Sequence, residues 1–237
     1  MEIKFEPAFE LAKEYPPLPA KKMIPEWFKN LDLTTIEGHG TAKQCPPMID
    51  FFTSGYYIRS VGNFHFKREV VNDEEDITIS GDFFADQYES FEHGGQTYSM
   101  PLLGLQVHDQ IPVVINGIKK SFWKFYEFWV VHTPPGYSCL FLPPTFFYQP
   151  FEIVPAIVDT DDDFCVPQSF PTMCSARGNE TIEWDVKKGD PIVLVIPFKR
   201  DDWKHTNMDI DHSRRKKMID KNILNYKDNY HKPKKFK

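Results

Sequence analysis

A mainly β fold is predicted by three observations: aromatic and β-branched residues gathered in short runs, 20 prolines spread over 237 residues, and turn residues between nearly all of the runs. Helices of more than a few turns do not survive that density of proline, because each ring removes a backbone donor and clashes with the preceding turn. The expected architecture is a single β-sandwich or jelly-roll domain over residues 45–200. An extended segment with a short helix (1–44) precedes it, and a basic helical tail (201–237) follows.

Strands are expected near Tyr56–Ile58, Asn63–Val70, Ile77–Ser80, Ile111–Ile115, Trp123–His132, Ser138–Leu142, Ile153–Asp159, Thr181–Trp184 and Ile192–Phe198. The short N-terminal helix follows from Pro25, which suits a first helical position, with Trp27, Phe28 and Leu31 on one face. In the tail, HSRRKKMIDKNILNYKDNY places Ile219, Ile223 and Tyr226 on one helical face and Lys/Arg on the other. Pro134-Pro135-Gly136 predicts a type II turn, with proline at its second position and glycine where φ is positive.

Charge is divided along the chain. Residues 199–237 hold 13 Lys/Arg against 6 Asp/Glu, leaving 15 against 28 in residues 1–198, so a body of −13 carries a tail of +7. Such a body repels phosphate backbones, which restricts any nucleic-acid binding to the tail. The N-terminus has no basic start followed by an apolar run, and no eighteen apolar residues occur in succession, so neither a signal peptide nor a spanning helix is expected. Cys45, Cys139, Cys165 and Cys174 form no CxxC pair and read as reduced thiols.

Candidate chemistry is sparse. The run Asp159-Thr160-Asp161-Asp162-Asp163 offers oxygen ligands for Mg²⁺ or Ca²⁺ but lacks the spacing of an EF-hand, and an acidic turn after the strand is the favoured reading. Asp159 stands out because it directly follows an apolar strand. A cupin-type Fe(II) site needs paired histidines with a carboxylate, and no His-x-Asp or His-x-His triplet occurs. Ser138 and Cys139 follow His132 without the glycine-framed elbow of hydrolases. The aromatic run from Trp123 to Phe151 has two readings: a pair of buried strands, or a subunit interface formed by Phe141, Phe146, Phe147 and Tyr148.

Five segments, IPEWFKNL (24–31), CPPMIDFFTSGYYI (45–58), WVVHTPPGYSCLF (129–141), AIVDTDDDFCVPQSFP (156–171) and KKGDPIVLVIPFKRDDW (187–203), resemble in order a family of tailed-phage and bacterial proteins that has no assigned activity. That resemblance implies a phage protein, in the host cytoplasm or the virion. A second set is similar to the β-clip proteins, the dUTPase and dCTP deaminase group: Ser54-Gly55-Tyr56, the Pro-Pro-Gly-Tyr turn, Ile157-Val158-Asp159-Thr160-Asp161, and Lys188-Gly189-Asp190-Pro191-Ile192. This likeness implies a β-clip-like domain, a trimer, and a nucleotide site with Mg²⁺ near Asp159, Asp161 and Tyr56. The departures fall on the chemistry. Tyr57 occupies the family's first aspartate, Leu142-Pro143-Pro144 stands in place of its Arg-Ser-Gly, and no glycine-rich arm follows.

The function expected on these grounds is non-enzymatic: a phage protein acting by homo-oligomerisation or by binding a viral or host protein, without membrane, metal or cofactor. The alternative is a nucleotide-handling β-clip relative, or more remotely a cupin-like Fe(II) oxygenase.

Overall fold

The computed structural model describes residues 1–82, 90–93, 96–99, 102–106, 110–126, 128–147, 149–161 and 169–220. It is mainly β, with 41% of residues in strands and 18% helical. Two compact units divide the chain, one of residues 1–23 with 55–200 and one of residues 24–54 with 201–237.

The first unit holds eighteen strands among the described residues. They begin with β1 (Lys4–Pro7), β2 (Leu18–Pro19), β3 (Tyr56–Arg59), β4 (Phe64–Val71), β5 (Glu74–Gly81) and β6 (Ser90–His93). Next come β7 (Gln96–Ser99), β8 (Leu103–Gln106), β9 (Val114–Ile115), β10 (Ile118–Lys119), β11 (Phe122–Tyr126) and β12 (Trp129–His132). The last six are β13 (Tyr137–Leu142), β14 (Phe151–Ile153), β15 (Ala156–Asp159), β16 (Ser169–Cys174), β17 (Ile182–Val186) and β18 (Pro191–Lys199). Each of the nine segments expected to be strands contains one, and two of them, 123–132 and 153–159, break or shift at their ends.

Three larger sheets run β15-β13-β18-β3-β2, β14-β16-β11-β8 and β17-β4-β5-β10-β9, and β1-β12 and β6-β7 form two-stranded ribbons. Central β18 is buried continuously from Pro191 to Val195, as a strand covered on both faces should be. By contrast β4 alternates, with Phe64, Phe66 and Arg68 inward and His65 and Lys67 outward. Aromatic rings join the sheets. Phe66 stacks on Trp184 at 4.9 Å and meets Trp123 of β11 at 5.1 Å, while Phe141 of β13 meets Phe170 of β16 at 5.2 Å.

Residues 1–23, expected to pack on the core as part of a leading segment 1–44, join the sheets themselves, since β1 pairs with β12 and β2 with β3. Residues 46–53, expected at the start of the β domain, instead form a helix of the second unit. Pro46 and Pro47 fit a first helical turn, where no backbone donor is needed.

That second unit contains α1 (Glu26–Asn30) and α2 (Pro46–Thr53), with Phe28 buried against Phe52 at 4.4 Å and Trp27 edge-on to Phe28 at 5.6 Å. Lys43 Nζ, in the 3-10 turn Ala42–Gln44 before α2, donates to the Lys29 carbonyl of α1 at 2.7 Å. Residues 212–220 are helical, capped by Asp211, whose Oδ1 accepts from the amides of Ser213 (3.0 Å) and Arg214 (2.9 Å). Those bonds to the anion hold the Asp211 carboxyl below its ordinary value. Ile219, expected on a packed face, is exposed, and Ile223 and Tyr226 lie outside the described residues.

Candidate functional site

The expected site residues gather around one turn at the end of the β15-β13-β18 sheet. Pro134-Pro135-Gly136-Tyr137 makes the predicted bend: Gly136 has φ +83°, and the Tyr137 amide donates to the Pro134 carbonyl at 3.2 Å. Antiparallel pairing then sets Ser138 opposite both Asp159 of β15 and Phe198 of β18, which brings Arg200 to the same end.

There Ser138 Oγ donates to Asp159 Oδ1 at 2.6 Å, and Arg200 Nη1 lies 2.9 Å from that same oxygen. Arg200 also grips Asp161 with both terminal nitrogens, Nη1 at 2.9 Å from Oδ1 and Nη2 bonded to Oδ2. The Gly136 amide donates to Asp161 Oδ2 at 2.6 Å, and the Arg200 amide to the Gly136 carbonyl at 2.9 Å. One guanidinium thus fastens two carboxylates and a turn. The hydrogen bond from Ser138 and that from Arg200 hold the Asp159 carboxyl below its usual range, and Arg200 and the Gly136 amide do the same for Asp161. The same two carboxylates raise the Arg200 pKa.

A further layer lies behind the turn. Thr133 Oγ1 and Thr160 Oγ1 share a hydrogen bond of 2.7 Å, and Thr160 Oγ1 donates to the buried Cys139 Sγ at 3.3 Å. His132 does not join Ser138 in a nucleophile pair, since its Nε2 lies 2.9 Å from Glu6 Oε2 across the β1-β12 ribbon.

On its other side the turn forms the lip of a cleft of about 470 Å³, lined by Tyr56, Thr133, Pro134, Tyr137 and Pro197 together with the first residues of the chain. Tyr56 thus lines the same cleft as the turn that Asp161 secures, and Phe5 packs edge-on to it at 5.2 Å. Asp159 and Asp161 are not among the cleft's lining. Both oxygens of Asp161 are engaged and its side chain is only 11% exposed, whereas Asp159 is held through Oδ1 and its side chain is 65% exposed.

Tyr57, which the β-clip likeness sets at the family's first aspartate, is buried against Phe147 at 5.2 Å, and burial pushes its hydroxyl up to about 12. Of the interface candidates, Phe141 is a core side chain, completely buried, and Phe147 is half-buried on Tyr57. Phe146 is exposed at φ +73°, and Tyr148 lies outside the described residues, as do Asp162, Asp163 and Cys165. Among the described residues no group of three His, Cys, Asp or Glu is placed to hold a metal ion, and no helix is long and apolar enough to cross a membrane.

Sequence reasoning missed a second polar centre, inside the β unit. Arg68, Glu75 and Lys120 are buried together: Arg68 Nε and Lys120 Nζ each donate to Glu75 Oε1 at 2.5 Å, and the Ser121 amide donates to Oε2 at 3.1 Å. The remaining donors reach backbone carbonyls, Arg68 those of Glu180 (2.7 Å) and Gly178 (2.8 Å), and Lys120 that of Ala176 (2.9 Å). Every charge here is paired or bonded, which is the condition under which buried ions persist. Burial raises the nearby Cys174 thiol.

No family model, no curated protein and no solved structure matches the chain. The geometry of these residues is therefore the ground on which a function rests.

Proposed function

We propose that this chain is a non-enzymatic binding protein, acting by self-association or by holding a viral or host protein, in the host cytoplasm or as part of a phage particle. The observation that carries the reading is the commitment of Asp159 and Asp161 to Arg200, Ser138 and the Gly136 amide. Carboxylates held that way fasten a turn. The cleft beside them offers tyrosine, proline, threonine and isoleucine side chains together with the Glu2 carboxylate, a mixed lining suited to contact. The finer architecture proposed is a β-sandwich, a reading supported by the rings of β4 and β17 meeting those of β11.

The test compares wild type and Asp159→Asn by calorimetric titration with dUTP and dCTP in Mg²⁺, beside light scattering of the wild type. No nucleotide binding and a mass above the 27.8 kDa of one chain are expected. Mg²⁺-dependent nucleotide binding that disappears in Asp159→Asn at unchanged melting temperature would replace this reading with the nucleotide enzyme.

A further inference from the structure

All twenty described residues of the arm, 201–220, are exposed. They include Trp203 at 89%, Met208 at 78% and Ile210 at 71% exposure, and the basic run Arg214-Arg215-Lys216-Lys217 followed by Met218 and Ile219. An arm this rich in large apolar side chains gains little from water on both sides, and its cations sit together on one short helix.

A surface of matching character exists on the same chain. Pairing in the β17-β4-β5-β10-β9 sheet puts His65, Lys67, Glu69 and Val71 of β4 on the outward face, opposite Ser80, Thr78, Asp76 and Glu74 of β5. Glu183 and Asp185 of β17 stand beside Lys67 and His65. At the far end the register runs Val71, Glu74, Lys119, Val114 across four strands. This face thus carries five carboxylates against two lysine ammoniums, and both of its valines, Val71 and Val114, are exposed.

We infer that the arm of one copy docks on this acidic outer face of a second copy, Arg214–Lys217 meeting the carboxylates and the arm's apolar side chains covering the valines. The inference deepens the self-association proposed above and rests on it. Charge complementarity favours this occupant: Arg214-Arg215-Lys216-Lys217 place four positive charges in succession on the arm's helix, and on the face Glu69, Glu74 and Asp185 already pair with Lys67, Lys119 and His65, which leaves Asp76 and Glu183 for the arm, whereas a nucleic acid is repelled by the body of −13. An arm-to-face contact joins unlike surfaces, so copies link head to tail and close into a ring if the rotation permits.

The experiment uses the full chain and light scattering at micromolar concentration, in low salt and in about 0.5 M salt, where exposed charges are screened. One variant carries Arg214→Glu, Arg215→Glu, Lys216→Glu and Lys217→Glu; the other carries Asp76→Lys and Glu183→Lys. Each alone should be monomeric, while an equimolar mixture should associate again because the reversed arm now fits the reversed face. Circular dichroism confirms that both remain folded. A wild type that associates together with an arm variant that associates equally overturns the arm as the contact, though self-association stands. A monomeric wild type overturns both. Loss of binding to a DNA duplex in the arm variant, with association unchanged, also overturns it and makes the arm a nucleic-acid ligand.

Discussion

The two units of this chain treat their large apolar side chains in opposite ways. In the β unit Phe66, Trp123, Phe125 and Trp184 meet one another and are buried, so each sheet completes its neighbour. The second unit buries Phe28 and Phe52 but leaves Trp27, Leu33, Ile36, Trp203, Met208, Ile210, Met218 and Ile219 exposed. Of thirteen exposed large apolar residues among those described, eight belong to this smaller unit. Folding alone accounts for the first pattern, since burying each such side chain contributes about 1.5–3 kcal/mol. Folding leaves the second pattern unexplained, and contact with another molecule, as proposed above, would bury it.

If the β unit is the self-sufficient one, its internal charges should matter most. Glu75→Ala leaves Arg68 and Lys120 buried without their shared anion and should cost about 3–5 kcal/mol in urea unfolding. A loss under about 1 kcal/mol would show that water or rearrangement satisfies those cations. The direct contrast between units is Phe66→Ala against Trp203→Ala. The first empties a packed site among four aromatic rings, those of Phe64, Trp123, Phe125 and Trp184, and should cost about 3–5 kcal/mol. The second removes an exposed ring and should change stability by no more than about 0.5 kcal/mol in a dilute, dissociated sample. Equal effects would erase the distinction.

Smaller changes probe the clasp. Gly136 has φ +83° with open space where a Cβ would go, so Gly136→Ala is penalised by backbone conformation alone, about 1–2 kcal/mol. The smallest expected effect concerns acid. Asp159 and Asp161 have depressed folded-state values, so their contribution is fully present above the unfolded carboxyl value of about 3.9 and is lost as pH falls through the folded values. Arg200→Gln removes the shared cation. The melting temperature of that variant should therefore fall less between pH about 4 and 2 than that of wild type, and parallel curves would show the clasp to be energetically silent.

Much of this was legible in the chain itself. The nine strand segments, the Pro134-Pro135-Gly136 bend and the short helix after Pro25 all follow from dihedral preference and alternation, which act over a few residues. Asn116-Gly117 carried an equally local signal, and its positive φ angles of 52° and 83° join β9 to β10, although the periodicity of that stretch pointed only to the strand before it. Asp159 could be singled out because it ends an apolar strand. Its partners could not, because Arg200 lies 39 residues from Asp161 and meets it through the pairing of β13 with both β15 and β18. Arg68, Glu75 and Lys120 read as ordinary solvated charges, since Arg68 breaks the apolar alternation of β4 and nothing nearby announces its anion. Only the register of β4 with β5 and of β5 with β10 buries the three together. Local sequence sets backbone angles, whereas burial and charge pairing depend on which distant strands become neighbours, and that choice is made by the packed whole.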